Sequence, residues 1–378
     1  MQVYLDNSAT TRPCEAAIRA MDACMREGYF NPSSVYGPAV EALRRVRSAR
    51  ENVLSAVHGA GCELTFTSGG TEANNLAVLG AVTRMRGPQV VAVSAVEHPS
   101  VRSAFEALKE MGHDVRVIGV DERGALDWEA LEKALNDGAS FVSCMQVNNE
   151  TVALLDVKRL HETVGGRALI HVDGVQGFLR VPFDMRYADL YSLSGHKIHG
   201  PKGIGALIVK KGVKLNPRQV GGGQESGLRS GTENTPGIAG LDAAVTGMRA
   251  MKDLGPELMR KKLRLIEGIR QSAPEAIVNG PEPESAAPHI VNIGFPNVRG
   301  EVMLHALEGE GIFVSTGSAC SSKKLKVSPV LTAMGISPRV AEWAVRFSLS
   351  PHNTEEEIDH AAGKVGELYD QLKRFQRR

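Results

Sequence analysis

The chain has no apolar run near the ~18 residues of a membrane helix, so no membrane span is expected. Its formal net charge is only +1, which gives no electrostatic reason to bind nucleic acid or a membrane surface. The opening segment, MQVYLDNSATTRP, carries no basic region followed by an apolar stretch, so no signal peptide is expected and a cytoplasmic protein is the default. Cysteines are few and widely spaced: Cys14, Cys24, Cys62, Cys144 and Cys320. None forms a C-x-x-C pair, which argues against a zinc knuckle or a thioredoxin-like site, and no metal is expected. The odd count argues against a disulfide framework. Neither a Walker loop nor a G-x-G-x-x-G fingerprint occurs.

What is present is globular. A length of 378 residues with 42% hydrophobic and 23% charged residues fits one large domain and a smaller one. Short apolar runs read as strands: ELTFT (63–67), QVVAVSAV (89–96), DVRVIGV (114–120), SFVSCMQV (140–147), ALIHVDG (168–174), DLYSLSG (189–195) and GALIVKK (205–211). Cys144 sits in one of them and reads as a buried strand residue. Helical patterns lie between several of these runs. In the clearest, residues 38–59, Pro38 suits a first turn and Gly59 a stop, and Val40, Leu43, Val46, Val53, Leu54 and Val57 recur at roughly helical spacing. Such alternation predicts an α/β fold, with a mostly parallel central sheet covered by helices on both faces.

The pattern changes near residue 255. A helix over 255–272, the stretch NGPEPESAAP, a strand HIVNIGF and a helix GEVMLHALEGEG follow. A last helix opens on a capping box at Thr354 and Glu357. These predict a smaller α+β domain. The division expected is 15–255 for the large domain, with 1–14 and 256–378 forming the small one.

Two segments carry candidate chemistry. TSGGTEANN (67–75) follows a strand and opens a helix, so its glycines and free N–H groups suit an anion. It reads either as a phosphate cradle or as an ordinary strand-to-helix turn with a threonine cap. SLSGHKIHG (192–200) places Lys197 after a strand, and a partly desolvated lysine forms Schiff bases with carbonyl cofactors. Asp173 and Gln176 stand one strand earlier, in HVDGVQG, at the strand end where α/β ligand sites gather. A carboxylate beside a pyridine nitrogen keeps that nitrogen protonated.

These segments, with LDNSATT, NPSS, EHPSV, QVNNET, GGGQESGLRSGTEN, STGSACSS and VRFSLS, run in order along nearly the whole chain. The chain thereby resembles the class V, fold-type I pyridoxal 5′-phosphate (PLP) enzymes, most closely their cysteine desulfurases. The resemblance implies that Lys197 carries PLP, that Asp173 pairs with the pyridinium nitrogen, and that Gln176 and Asn149 contact the ring's phenolic oxygen. It implies that His98 stacks on the ring and shuttles protons. Phosphate is expected at Gly70, Thr71, Ser194 and His196, with Thr232 reaching the phosphate of a neighbouring subunit in a homodimer. Arg346 is expected to clamp the α-carboxylate of L-cysteine, with Asn31 a second candidate.

Cys320 lies among small and hydroxylated residues just ahead of the basic run KKLK, a setting that favours an exposed thiolate. The resemblance makes it the nucleophile. It takes sulfur from L-cysteine as a persulfide, releases alanine and passes the sulfur to an acceptor protein, such as an iron–sulfur scaffold or a thiolation partner. Selenocysteine lyase, another PLP-dependent transferase, and a non-catalytic protein on the same fold are the alternatives. The chain departs from the family pattern at Val152, where glycine usually follows NNET, and at Ser350, Pro351 and His352, where glycine and then arginine are usual. Both departures are expected on the substrate side.

Overall fold

The computed structural model describes residues 1–316 and 328–375. The strands, in chain order, are β1 (Val3–Tyr4), β2 (Glu63–Thr67), β3 (Val90–Ser94), β4 (Asp114–Ile118), β5 (Ala139–Met145), β6 (Leu169–Asp173), β7 (Leu190–Ser194), β8 (Gly205–Val209), β9 (Ile277–Asn279), β10 (Ile290–Gly294), β11 (Ile312–Phe313) and β12 (Ala344–Ser348). Seven of them form the central sheet, in the order β2-β8-β7-β6-β5-β3-β4. Pairing is parallel except where β8 meets β2 and β7. The architecture is therefore the α/β one that the alternating runs predict.

Side chains on a strand alternate between faces, and here both faces are covered. Phe141, Leu190 and Leu207 join the helices Gly70–Val82 and Pro99–Glu110 in one apolar cluster. Their neighbours Val142, Tyr191 and Ile208 join a second cluster with the helices Gly37–Ser55, Trp128–Asn136, Val157–Val164 and Thr235–Ala250. Burial on both sides is why these strands read as continuous apolar runs rather than as alternations. Cys144 is 1% exposed, and burial, with Glu97 nearby, pushes its thiol pKa well up.

A second, antiparallel sheet has the order β12-β10-β9. The two ends of the chain meet beside it. β1 pairs in parallel with β11, and bridges join Asp6 to Ser348 and Ser315 to Arg346. The helix Glu355–Phe375 starts on the expected box: the Thr354 hydroxyl accepts from the Glu357 N–H, and the Glu357 carboxylate accepts from the Thr354 N–H, both at 3.1 Å.

Two local expectations need correction. In the helix Gly37–Ser55 the buried stripe is Ala39, Ala42, Val46, Ala49 and Val53, while Val40 is exposed. Val46 and Val53 keep their expected place in the stripe, alanines fill the rest of it, and Val40 falls one position off it. The helix also ends at Ser55, and His58 rather than Gly59 takes the left-handed conformation (φ 53°). Among the described residues no helix is long and apolar enough to cross a membrane.

Candidate active site

The parallel strands all end on one edge of the sheet, and their following turns build one cavity. β2 leads to Gly70 and Thr71, β5 to Asn149, β6 to Asp173 and Gln176, and β7 to Ser194, His196 and Lys197. His98 arrives from the turn after β3, and Arg346 from β12 of the second sheet. These residues line a cavity of about 190 Å³, with Ser8, Ala9, Asn74, Ser100, Met145 and Val175. Ligand sites of α/β sheets lie outside the carboxyl ends of the strands, so the location follows from the topology.

The floor is held by a chain of hydrogen bonds. Asp173 ends β6 with its carboxylate buried; one oxygen accepts from the Val175 N–H at 2.9 Å and the other from Asn74 Nδ2 at 2.8 Å. Asn74 Nδ2 also donates to Ser100 Oγ at 2.9 Å, and Ser100 Oγ lies 2.8 Å from His98 Nδ1. The Ser100 N–H donates to the same Nδ1 at 3.1 Å. With Nδ1 accepting, the ring proton belongs on Nε2. Burial lowers the His98 pKa; Asp173 opposes that, and Lys197 and Arg102 add to it, so the imidazole is neutral at neutral pH.

The lysine is anchored across the cavity. Lys197 Nζ donates to the carbonyl oxygens of Ser8 and Ala9, the latter at 2.9 Å. Gln176 Nε2 donates to the same Ser8 carbonyl at 2.9 Å. His196 Nδ1 lies 3.2 Å from Thr10 Oγ1, and burial, reinforced by Lys197, Lys202 and Arg180, pushes its pKa down to about 4. Arg346 is 2% exposed, and donates from Nη2 to Asp6 Oδ1 at 2.8 Å and from Nη1 to the Asn149 carbonyl at 3.0 Å.

At the opposite wall, the helix Gly70–Val82 points its N-terminus at the cavity. The first N–H groups of a helix have no partner within it, so this end attracts an anion. Gly70 permits the approach: a Cβ there would stand 2.6 Å from Val175 Cγ2.

The structure brings together Gly70, Thr71, His98, Asn149, Asp173, Gln176, Ser194, His196, Lys197 and Arg346. Two expected residues lie elsewhere. Asn31 is exposed in a turn, where its Oδ1 accepts from the Ser33 N–H. Thr232 is exposed and lines a separate hollow with Ser68, Gly203 and Arg229. Cys320 falls outside the described residues. Val152 and residues 350–352 do not line the cavity; Ser350 instead meets His199 Nε2 at 3.2 Å, and the His352 ring packs edge-on against His199. Sequence reasoning alone does not single out Asn74 or Asp6. Asn74 stands one helical turn after Thr71 inside TEANN, a spacing that points to the same face of the helix.

A family model, Aminotransferase class-V, matches residues 3–360. The chain belongs to the class-V aminotransferase family. Within it, the similarity is to cysteine desulfurases. One from Sinorhizobium fredii (strain NBRC 101917 / NGR234) is 40% identical over 380 residues, covering 98% of this chain and 97% of that protein. Among solved structures, a NifS-like protein superposes with a TM-score of 0.90 at 34% identity, covering 98% of this chain and all of the other. SspA in complex with cysteine superposes with a TM-score of 0.81 at 28% identity over 93% of this chain and 100% of that one.

Class-V aminotransferases imply PLP, and the lining fits that group. An aldehyde needs an amine, and Lys197 supplies one. A pyridinium nitrogen needs a fixed carboxylate, and Asp173 is fixed by two donors. A phosphate needs N–H and O–H donors, which the helix N-terminus, Thr71 and Ser194 offer. Three lining residues also hold buried polar atoms with no protein partner, namely Ser8 Oγ, Asn74 Oδ1 and Arg346 Nε.

Proposed function

We propose that the chain is a PLP-dependent cysteine desulfurase, which takes sulfur from L-cysteine onto Cys320 and releases L-alanine. The observation that carries this reading is the convergence of Lys197, Asp173, His98 and Arg346 on one cavity. Membership among relatives named cysteine desulfurases supports it, as does a structural neighbour described in complex with cysteine.

The residues divide the work by chemistry. Bound in the cavity, PLP supplies an electron sink for bond changes at the substrate's α-carbon. Asp173 holds the proton on the ring nitrogen. Gln176 and Asn149 offer amide N–H groups to the ring oxygen. Gly70, Thr71, Ser194 and His196 hold the phosphate. Lys197 would anchor the aldehyde, and its Nζ, when free, would take the α-proton. His98 covers the ring face and, neutral with its proton on Nε2, moves protons on the substrate side. Arg346 clamps the α-carboxylate.

Cys320 supplies the thiolate that attacks the substrate sulfur. The carbon–sulfur bond breaks, a sulfur–sulfur bond forms on Cys320, and the alanine carbon takes up a proton. The persulfide then goes to an acceptor protein, of which an iron–sulfur scaffold is one kind. The exposed Thr232, away from its own chain's cavity, supports a homodimer in which it completes the partner's phosphate site.

The test is turnover of L-cysteine by PLP-loaded protein, counting alanine and sulfide, for wild type and Cys320→Ala. Products from the wild type and not from the variant are expected. No product from L-cysteine with the wild type, together with activity on selenocysteine that survives Cys320→Ala, would overturn this assignment in favour of a lyase.

A further inference from the structure

Arg180 does not line the cavity, yet it touches two residues that do. It is 5% exposed, and no carboxylate pairs with it among the described residues. One Nη donates to Gln176 Oε1 at 3.1 Å, and the other donates to the backbone carbonyl of Lys197. Burial lowers its pKa only to about 10, so the charge remains at neutral pH. Leu179, just before it, is held in the left-handed region (φ 60°), where an ordinary residue is strained.

A guanidinium only donates hydrogen bonds and a carbonyl only accepts them. Arg180 therefore keeps the Gln176 oxygen on its own side. The Ser8 carbonyl, 2.9 Å from Nε2, fixes the amide the same way round. What Gln176 has left to offer the cavity is its second N–H. If the amide turned over, it would present an oxygen to whatever anionic atom sits there.

We propose that Arg180 is a positioning residue, which holds Gln176 as a donor toward the cofactor's ring oxygen and lends positive charge to that side of the site. The proposal rests on the reading of Gln176 as the ring-oxygen contact. A buried cation without a counter-ion is costly, and an anionic ring oxygen relayed through Gln176 offsets that cost. A nearby positive charge also makes that side of the cofactor hold a proton less tightly.

The experiment compares wild type with Arg180→Met and Arg180→Lys, each alone and with Gln176→Leu. The readouts are PLP affinity, the pH midpoint of the bound cofactor's absorbance, and circular dichroism. Arg180→Met is expected to raise the midpoint by about 1 pH unit and to weaken PLP binding about tenfold. Arg180→Lys, which keeps the charge, should restore at least half of the midpoint shift. In the Gln176→Leu background, Arg180→Met should add only part of its own shift, because the share carried by the amide is already lost. If Arg180→Met does not fold, Arg180→Gln is read in its place against the same expectations. An unchanged midpoint and affinity in a folded, PLP-binding variant, or full additivity with Gln176→Leu, overturns the role of Arg180. Failure of the wild type to bind PLP overturns instead the reading of the cavity itself.

Discussion

Arg346 Nη2 lies 2.8 Å from Asp6 Oδ1, joining residues 340 positions apart in the chain. This ion pair ties β12 to the segment after β1 and leaves the guanidinium facing the cavity from an otherwise buried position. On the proposed reading Arg346 also grips the substrate carboxylate. Arg346→Lys keeps a charge but loses the planar fork. Its kcat/KM for L-cysteine should fall about 10- to 100-fold, mostly through KM, with PLP affinity unchanged. Asp6→Ala should cost about 1–3 kcal/mol in urea unfolding, because a buried donor loses its acceptor.

His171 lies fully buried between Ser143 Oγ at 2.8 Å and Ser192 Oγ at 3.0 Å. Burial pushes its pKa from 6.5 down to about 3. The unfolded chain thus takes up a proton near pH 6.5 that the folded chain refuses until about pH 3. Stability is fully present above pH 6.5 and is lost as the pH falls through that window. Within it, His171 alone should contribute up to about 1.4 kcal/mol per pH unit. Urea unfolding of wild type and His171→Gln at several pH values between 7 and 4 checks this (~ one pKa window). The variant should show the shallower slope, and equal slopes would refute the assignment.

Much of this molecule is legible in its sequence for physical reasons. The central strands announce themselves because a sheet buried on both faces needs uninterrupted apolar runs. Lys197 and Asp173 are legible because parallel strands place their C-terminal turns together, whereas His98 is legible only through the family resemblance. Asp6 is not, because its partner is Arg346 and nothing local in LDNSATT encodes that meeting. Neither is the role of Ser8, which acts through its carbonyl oxygen and so leaves no side-chain signature. The alanine stripe of the helix Gly37–Ser55 is hidden for a different reason. Hydrophobic spacing picks out Val46 and Val53 but passes over the alanines that complete the same buried stripe.

The cap of the last helix offers a cleaner energetic test. Thr354 and Glu357 satisfy each other's backbone N–H groups at 3.1 Å on an exposed helix start. Thr354→Ala removes one acceptor and disturbs nothing packed. It should lower stability by about 1 kcal/mol, and Thr354→Ser should recover most of that in the same urea titration.

Val152 sets two effects against each other. It is held at φ 62°, a conformation in which a β-branched side chain crowds its own backbone, yet it is 1% exposed and packs with Val147, Ala286, Ala287 and Ile290. The turn is imposed from outside. Asn148 Oδ1 accepts from the Glu150 and Thr151 N–H groups, each at 2.8 Å, and the Val152 carbonyl accepts from the Ala287 N–H at 2.9 Å. Val152→Ala loses the packed methyl groups but keeps most of the strain, so it should cost about 1–2 kcal/mol. Val152→Gly loses the β-carbon as well but releases about 1–2 kcal/mol of left-handed strain. Glycine should therefore be at least as stable as alanine here, the reverse of the usual order in ordinary backbone. Urea midpoints of the two variants decide the matter. If alanine is the more stable, the left-handed turn costs Val152 little, and its packing alone explains why the chain tolerates it.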